Sequence, residues 1–124
     1  DDVAEKAQLM ADECVFAHDD NEDRRTTKFT GWVGQNLAIS FSTSSTYLRG
    51  MVGLQDGWYD EVELFEGDPA PVDSYASVDG TGHYTAMVWA KSYSLGCGYV
   101  KYHRPADDFE YQELLACNYG PGGN

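Results

Sequence analysis

The last third of the chain contains two strand-like runs separated by a short turn-forming segment. The first run extends from Ser94 to His103 and the second from Tyr111 to Tyr119. Residues 104–108, between them, include a proline and two aspartates, which are typical of a hairpin loop. We therefore predict a β hairpin, so the fold must contain a sheet.

The amino-terminal half favours helices. Apolar residues at offsets of three and four over residues 3–17 predict an amphipathic helix that ends near Ala17 and His18. Residues 44–66 show the same spacing, with an apolar stripe formed by Tyr47, Met51, Leu54, Trp58, Val62 and Phe65. Two helices are therefore predicted ahead of the hairpin.

Loops are predicted between these elements. The acidic run at 19–23 predicts a solvated loop, and residues 29–41 predict a loop leading into a short apolar segment. Residues 68–82 are rich in Asp, Pro, Ser and Gly, which predicts a long surface loop, and residues 83–91 predict a helix or turn. The element order favours an α+β fold in a single domain over residues 1–124.

The charge balance argues against some classes of partner. Twenty-one acidic residues against eight basic ones give a net charge of −13, the wrong sign for neutralising nucleic-acid phosphates. The acid excess indicates solubility, and attraction of a divalent cation is the alternative. No apolar run approaches the roughly 20 residues of a transmembrane helix. No basic-then-apolar leader is present either, so secretion would require its prior removal.

Three histidines are candidates for metal binding. His18 is placed at the end of the first predicted helix, four residues after Cys14, so these two should share a face. His83 follows Gly82 at the start of a new element, where a side chain often points into a cavity. His103 lies in the hairpin and is expected to be exposed. Spacing alone is a weak signal, because His-x-x-x-His and Cys-x-x-Cys are absent.

Other side chains suggest further chemistry. Glu61 and Glu63 lie near Trp58, and Glu61 is its helical neighbour at i+3; the alternative is a salt-bridged or rim glutamate. Cys97 lies within Gly-Cys-Gly. It could be a nucleophile next to His83, but the formation of a disulfide is the favoured interpretation. The chain contains neither a Gly-x-Ser-x-Gly elbow nor a phosphate-binding glycine loop.

Five segments carry motifs in a specific order. They are a helix with a Cys and a His (7–18), a Gly-Gln-Asn triplet (34–38), a Trp-x-x-Glu helix (58–62) and two carboxyl-terminal signatures (82–98 and 114–124). Together they resemble the CAP superfamily (cysteine-rich secretory protein, antigen five, pathogenesis-related one). Gln35 stands where many members have Glu, which is similar to the arthropod antigen-five branch.

The resemblance implies a fold and a site. The fold is an α-β-α sandwich with a small antiparallel sheet, and its central cavity collects His18, His83, Glu61 and Gln35. A site for Zn²⁺ or another divalent cation at modest affinity is expected at His18 and His83. Because glutamine cannot act as a general base and is a weak neutral ligand, Glu61 is the remaining cavity acid.

The function implied by the resemblance is that of a secreted, extracellular binding or effector protein of the venom, saliva or immune type, and allergen-like. Lipid or sterol binding is a further expectation. The alternative is a metal-assisted hydrolase or protease that uses Glu61 as its base.

The resemblance also assigns the cysteines. It implies a Cys97–Cys117 disulfide and leaves Cys14 unpaired or linked to an amino-terminal segment that this chain does not contain. The family's usual first helix is missing as well. We therefore expect a fragment or a processing product associated with the missing part, with an incomplete sequence as the alternative.

Overall fold

The computed structural model describes residues 2–65 and 78–123. Its helices and strands are α1 (Val3–Asp12), α2 (Asn21–Arg24), β1 (Gly34–Ser42), α3 (Gly50–Tyr59), α4 (Gly82–Met87), β2 (Ser94–His103) and β3 (Tyr111–Gly120). Short 3₁₀ segments at Ser45–Tyr47 and Asp60–Phe65 flank α3. The predicted hairpin is present as β2 and β3.

The three strands form one antiparallel sheet in the order β1-β3-β2. Because side chains alternate across a strand, the central strand β3 sends Leu114 and Ala116 to one face and Leu115 and Cys117 to the other. The first pair packs with Met10 and Ala11 of α1, and the second with Leu54 and Trp58 of α3 and Ala86 of α4. Helices thus cover both faces, which confirms the predicted α+β fold.

Helix α1 lies unusually close to β2. A side chain at Gly96 would place its Cβ 2.1 Å from the backbone nitrogen of Ala4, and one at Gly98 would place it 2.4 Å from the carbonyl oxygen of Ala7. Real Cβ atoms do not approach backbone this closely, so both positions require glycine. The Gly-Cys-Gly motif therefore lets the helix backbone rest directly on the strand.

The cysteine of this motif lies on the opposite face. Cys97 and Cys117 are directly opposed in the β2–β3 register and form a disulfide. Both belong to, or pack against, the cluster that contains Leu54 and Trp58. Cys14 takes no part in this bond, and its thiol lies 3.6 Å from the carbonyl oxygen of Asp12.

The first helix is shorter than predicted. It begins at the N-cap Asp2, whose carboxylate accepts hydrogen bonds from the amides of Ala4 and Glu5, but it ends at Asp12. Cys14 has a φ of 56°, a left-handed conformation that cannot continue a right-handed helix. His18 consequently lies in the loop beyond α1, and the prediction that it shares a helical face with Cys14 is wrong.

Two other segments differ from their predictions. Helix α2 begins within the acidic run at 19–23 predicted to be a solvated loop, and its last residue, Arg24, is buried. The helix predicted over 44–66 is divided into α3 and its two 3₁₀ flanks, and from its stripe Leu54, Trp58 and Phe65 are buried whereas Tyr47 and Met51 are exposed. Most of the predicted loop at 68–82 lies outside the described residues.

The start of α3 is held by a carboxylate of the sheet. Glu113 is fully buried on β3, and its Oε1 accepts hydrogen bonds from the amide of Arg49 (2.6 Å), the amide of Gly50 (3.0 Å) and the hydroxyl of Ser40 (2.7 Å). Its Oε2 accepts from the hydroxyl of Tyr99 and again from Gly50. An anion at a helix amino terminus is favoured by the helix dipole, so this contact anchors α3 on the sheet.

Burial and hydrogen bonding oppose each other at this carboxylate. Burial raises the pKa of Glu113, but the hydrogen bonds from Tyr99, Ser40 and the two backbone amides together lower it by more than burial raises it. The pKa of this carboxyl group therefore lies below its usual value. The pKa of Tyr99 is raised, mainly by burial of the phenol and next by its hydrogen bond to Glu113.

In the part of the chain that the structure describes, no helix is long and apolar enough to cross a membrane.

Candidate functional site

An open cavity of about 580 Å³ contains the predicted site. Its wall is built from β1, the loops on either side of α2 and the segments around Glu61 and α4, and includes His18, Arg24, Trp32, Gly34, Gln35, Asn36, Glu61, Gly80, Gly82 and His83. All four side chains that the resemblance assigned to the cavity, His18, Gln35, Glu61 and His83, therefore border one space.

His83 is held from three directions. Its Nδ1 lies 2.6 Å from Oε1 of Glu61, and its ring stacks on Trp58 with the ring centres 5.9 Å apart. The backbone carbonyl of His83 also accepts a hydrogen bond from the side-chain amide of Asn36 (3.0 Å). With Nδ1 against a carboxylate, the neutral form of the ring is favoured with its proton on Nδ1, which leaves the Nε2 lone pair for a ligand.

Glu61 has both oxygens engaged. Oε1 faces His83, and Oε2 accepts the backbone N–H of Tyr84 at 2.8 Å, in the first turn of α4. This explains why a glutamate follows Trp58 by three positions, since one carboxylate links the end of the α3 region to the start of α4. Glu63, the other glutamate considered from the sequence, is exposed and does not line the cavity.

His18 is held by an amide instead of a carboxylate. Its Nδ1 lies 2.8 Å from Oε1 of Gln35, and Nε2 of Gln35 donates to Oδ1 of Asn118 at 3.0 Å. Nδ2 of Asn118 in turn donates to the carbonyl of Val3 at 3.5 Å. Oε1 of Gln35 thus faces Nδ1 of His18 as Oε1 of Glu61 faces Nδ1 of His83.

Asn36 connects the cavity wall to the core. It is buried, and its Nδ2 donates to the hydroxyl oxygen of Tyr119 (3.1 Å) as well as to His83. Burial raises the pKa of Tyr119 to about 12, although the hydrogen bond from Asn36 lowers it in part. The phenol therefore stays neutral at physiological pH and serves as a fixed polar partner in the core.

A buried ion pair forms another part of the wall. Nε of Arg24 lies 3.2 Å from Oδ1 of Asp19, and its Nη1 donates to the carbonyl of Val33 at 3.0 Å. The guanidinium also lies over the ring of Trp32, 5.1 Å from its centre. Burial lowers the pKa of Arg24 and raises that of Asp19, and the partner's opposite charge counters only part of each shift. The arginine thus supports the indole at the cavity wall.

Comparison with known proteins decides the family. The sequence model of the cysteine-rich secretory protein family, CAP, matches residues 1–119. The chain belongs to the CAP family. The solved structure of BmVAL-1 matches with a TM-score of 0.71 and 28% identity, over 98% of this chain and 57% of that one.

Several relatives of this CAP chain are arthropod proteins. It is 42% identical to Venom allergen 5.01 of Dolichovespula maculata, 39% to Venom allergen 5 of Tityus serrulatus and 37% to Salivary antigen-5 of Dipetalogaster maximus, each over 100% of this chain. The alignments cover 50%, 29% and 47% of those proteins. The chain thus spans about half, or less, of the length of these relatives, and its likeness is to the antigen-five type.

The donor set of this CAP cavity fits a divalent cation in part. His18 and His83 both line the cavity with Nδ1 engaged by an oxygen, and the remaining imidazole nitrogen, Nε2, is a donor that suits zinc and its neighbours. Among residues 2–65 and 78–123, no group of three or more His, Cys, Asp and Glu side chains is placed to hold a metal ion. Any metal held by the two imidazoles would therefore need water or a ligand to complete its coordination.

The third histidine lies elsewhere. His103 is exposed, as expected, and its Nε2 lies 3.0 Å from Oε2 of Glu110 while its ring stacks on Tyr111. It does not line the cavity.

Sequence reasoning missed Asn118, Arg24 and Asp19 as parts of the site. Asn118 belongs to a recognised motif, but its partner Gln35 is 83 positions away. Asp19 begins the acidic run predicted to be a solvated loop, and Arg24 directly follows that run. The one sequence signal that pointed to Asn118 was the alternation of side chains along β3, which places Asn118 on the face of the sheet that α1 covers.

Proposed function

We propose that this chain is part of a secreted CAP binding or effector protein whose cavity binds a divalent cation through Nε2 of His18 and Nε2 of His83. Zinc is the cation that such imidazole donors suit best among the common ones. The observation that carries the proposal is that both rings border one cavity with Nδ1 engaged by an oxygen acceptor. When bound, the cation would polarise a ligand or water in the cavity.

Secretion is supported by two observations. The relatives include proteins named as venom allergens and a salivary antigen. The chain also contains the Cys97–Cys117 disulfide, and such bonds persist in oxidising compartments such as the extracellular space.

The metal proposal is tested by calorimetric titration of zinc. We expect binding by the wild-type protein, and a loss of at least about tenfold in affinity in His18→Ala and His83→Ala, since each removes one of two ligands. His103→Ala is the matched control, because it removes an imidazole outside the cavity and should bind zinc as the wild type does. Equal affinity in the wild type and His83→Ala would refute the proposal.

A binding role is favoured over hydrolysis by the contacts of Glu61. Both carboxylate oxygens are already used, one by His83 and one by the amide of Tyr84, so the group is occupied as a positioning acceptor. A metal-assisted hydrolase with Glu61 as its base is the alternative. That alternative requires hydrolytic activity that disappears in Glu61→Gln, and activity that survives the substitution would exclude it.

Lipid or sterol binding in the cavity region is a second proposal, supported by the indole of Trp32. This ring borders the cavity, is 49% exposed and is stacked on a buried guanidinium, so it offers a rigid apolar surface. The test is binding of radiolabelled cholesterol by the wild type and by Trp32→Ala. Equal binding by both would contradict a site at this ring.

A further inference from the structure

A glutamine is ambiguous as a hydrogen-bond partner, because one end of its amide accepts and the other donates. Glu61 offers only acceptor oxygens while ionised, so it holds the Nδ1–H form of His83 without further help. Gln35 must be held in one of two orientations to do the same for His18. Whatever orients this amide decides which nitrogen of His18 carries the proton.

The orienting contacts begin at the backbone carbonyl of Val3, 3.5 Å from Nδ2 of Asn118. A backbone carbonyl can only accept, so the carbonyl of Val3 receives the Nδ2 end of Asn118. Asn118 then turns its Oδ1 toward Gln35, which must meet it with Nε2. The Oε1 end of Gln35 is left for His18, and Nδ1 of His18 must donate.

Burial and register make this chain of contacts specific. Asn118 is fully buried and Gln35 is 9% exposed, so few waters are available to replace either contact. The two residues are directly opposed on β3 and β1, which fixes their side chains on the same face.

We propose that Asn118 is a positioning residue: by orienting the amide of Gln35 it keeps the proton of neutral His18 on Nδ1 and presents Nε2 to the cavity. The inference rests on the proposed function in one respect, that Nε2 of His18 is a cation ligand. The orientation itself requires no bound cation.

The test is the tautomer of His18 in metal-free protein, read from its ring ¹⁵N chemical shifts at about pH 8, where imidazole is mostly neutral. The chain has three histidines, so His18→Gln identifies the signal. We expect the Nδ1–H form in the wild type and a shift toward the Nε2–H form in Asn118→Leu, which removes the amide at similar volume. The tautomer of His83, held by Glu61, should not change and is the internal control.

Rescue separates positioning from general damage to the fold. In the double variant Gln35→Glu/Asn118→Leu, a carboxylate faces His18 and needs no orientation, so the Nδ1–H form should return. If Asn118→Leu does not fold, Asn118→Ser tests the same contact with a shorter side chain. A folded Asn118 variant that keeps the wild-type tautomer of His18 would overturn the inference, and so would a double variant that fails to restore it.

Zinc titration of the same variants connects the tautomer to binding. We expect Asn118→Leu to lose about 10- to 100-fold in zinc affinity, the usual effect of removing a partner that orients a ligand. A tautomer shift in a protein that binds no zinc even as wild type would refute the proposed function and leave the positioning role standing. Zinc binding by the wild type, together with a His18 tautomer that does not change in Asn118→Leu, would refute the positioning role and leave the proposed function standing.

Discussion

Replacing Glu113 by glutamine tests whether a single buried carboxylate holds the start of α3 against the sheet. The carboxylate accepts hydrogen bonds from the amides of Arg49 and Gly50 and from the hydroxyls of Ser40 and Tyr99. Glutamine keeps one acceptor oxygen for the amides of Arg49 and Gly50, but its NH₂ group would replace Oε2, which accepts from the hydroxyl of Tyr99. The variant therefore loses the charge and removes the acceptor of the Tyr99 hydroxyl.

The expected cost is about 3 kcal/mol. A hydrogen bond to a charged group contributes roughly 1.5–3 kcal/mol net against about 1 kcal/mol for a neutral one, and an unsatisfied buried donor costs about 1–3 kcal/mol. For a domain of this size, such a loss lowers the melting temperature by roughly 10 °C. Urea unfolding followed by tryptophan fluorescence would measure it as a lower midpoint with an unchanged slope.

The matched control is Glu110→Gln. The carboxylate of Glu110 is 45% exposed and pairs with His103 at the surface, so its loss should change the free energy of unfolding by no more than about 0.5 kcal/mol. Equal losses in the two variants would show that the contacts of Glu113 do not stabilise the fold in the way described.

Acid should reveal the same contact. The pKa of Glu113 lies below its usual 4.5, so the contribution of the carboxylate is fully present above about pH 4.5 and is lost as the pH falls through the folded-state pKa. The wild type should therefore lose stability more steeply than Glu113→Gln as the pH drops below 4.5. Parallel curves for the two proteins in this range would argue against a depressed pKa.

Three further variants test the packing. Gly98→Ala should destabilise the fold by about 1–3 kcal/mol, because its Cβ would lie 2.4 Å from the backbone of α1. Gly57→Ala, which has open space around its Cβ inside α3, should stabilise the fold by up to about 1 kcal/mol. Thermal unfolding of both variants checks this, and a Gly98→Ala variant as stable as the wild type would refute the close approach. Replacing Cys97 and Cys117 together by alanine opens a loop with a sequence separation of 20 and should cost about 3 kcal/mol, measured by urea unfolding against the wild type under oxidising and reducing conditions. A double variant as stable as the oxidised wild type would contradict this.

Sequence reasoning located the strands of the hairpin closely. β2 has the predicted limits, Ser94 to His103, and β3 extends the predicted run by one residue to Gly120. This succeeded because turn-forming residues bound two runs of strand-forming ones, and these are local signals. The CAP motifs added the long-range assembly, and they are specific enough to identify the family from the residues alone.

Helix ends were predicted less well, because they depend on contacts that the spacing of apolar residues does not contain. The apolar pattern of 3–17 runs past Asp12, but the left-handed Cys14 ends the helix and carries His18 into a loop. The pattern of 44–66 likewise runs across both 3₁₀ flanks of α3, whose amino terminus is set by Glu113 on a strand about 60 positions later.

Through its motifs, the sequence by itself determined four of the side chains at the cavity: two imidazoles, one carboxylate and one amide. Only the tertiary structure decided what they do. Gln35 reads as the loss of an acid, yet in the fold it is an acceptor for Nδ1 of His18 because Asn118, opposite it on β3, orients its amide. The physical reason is that a hydrogen bond depends on direction, and direction at this site is set by a strand 83 positions away.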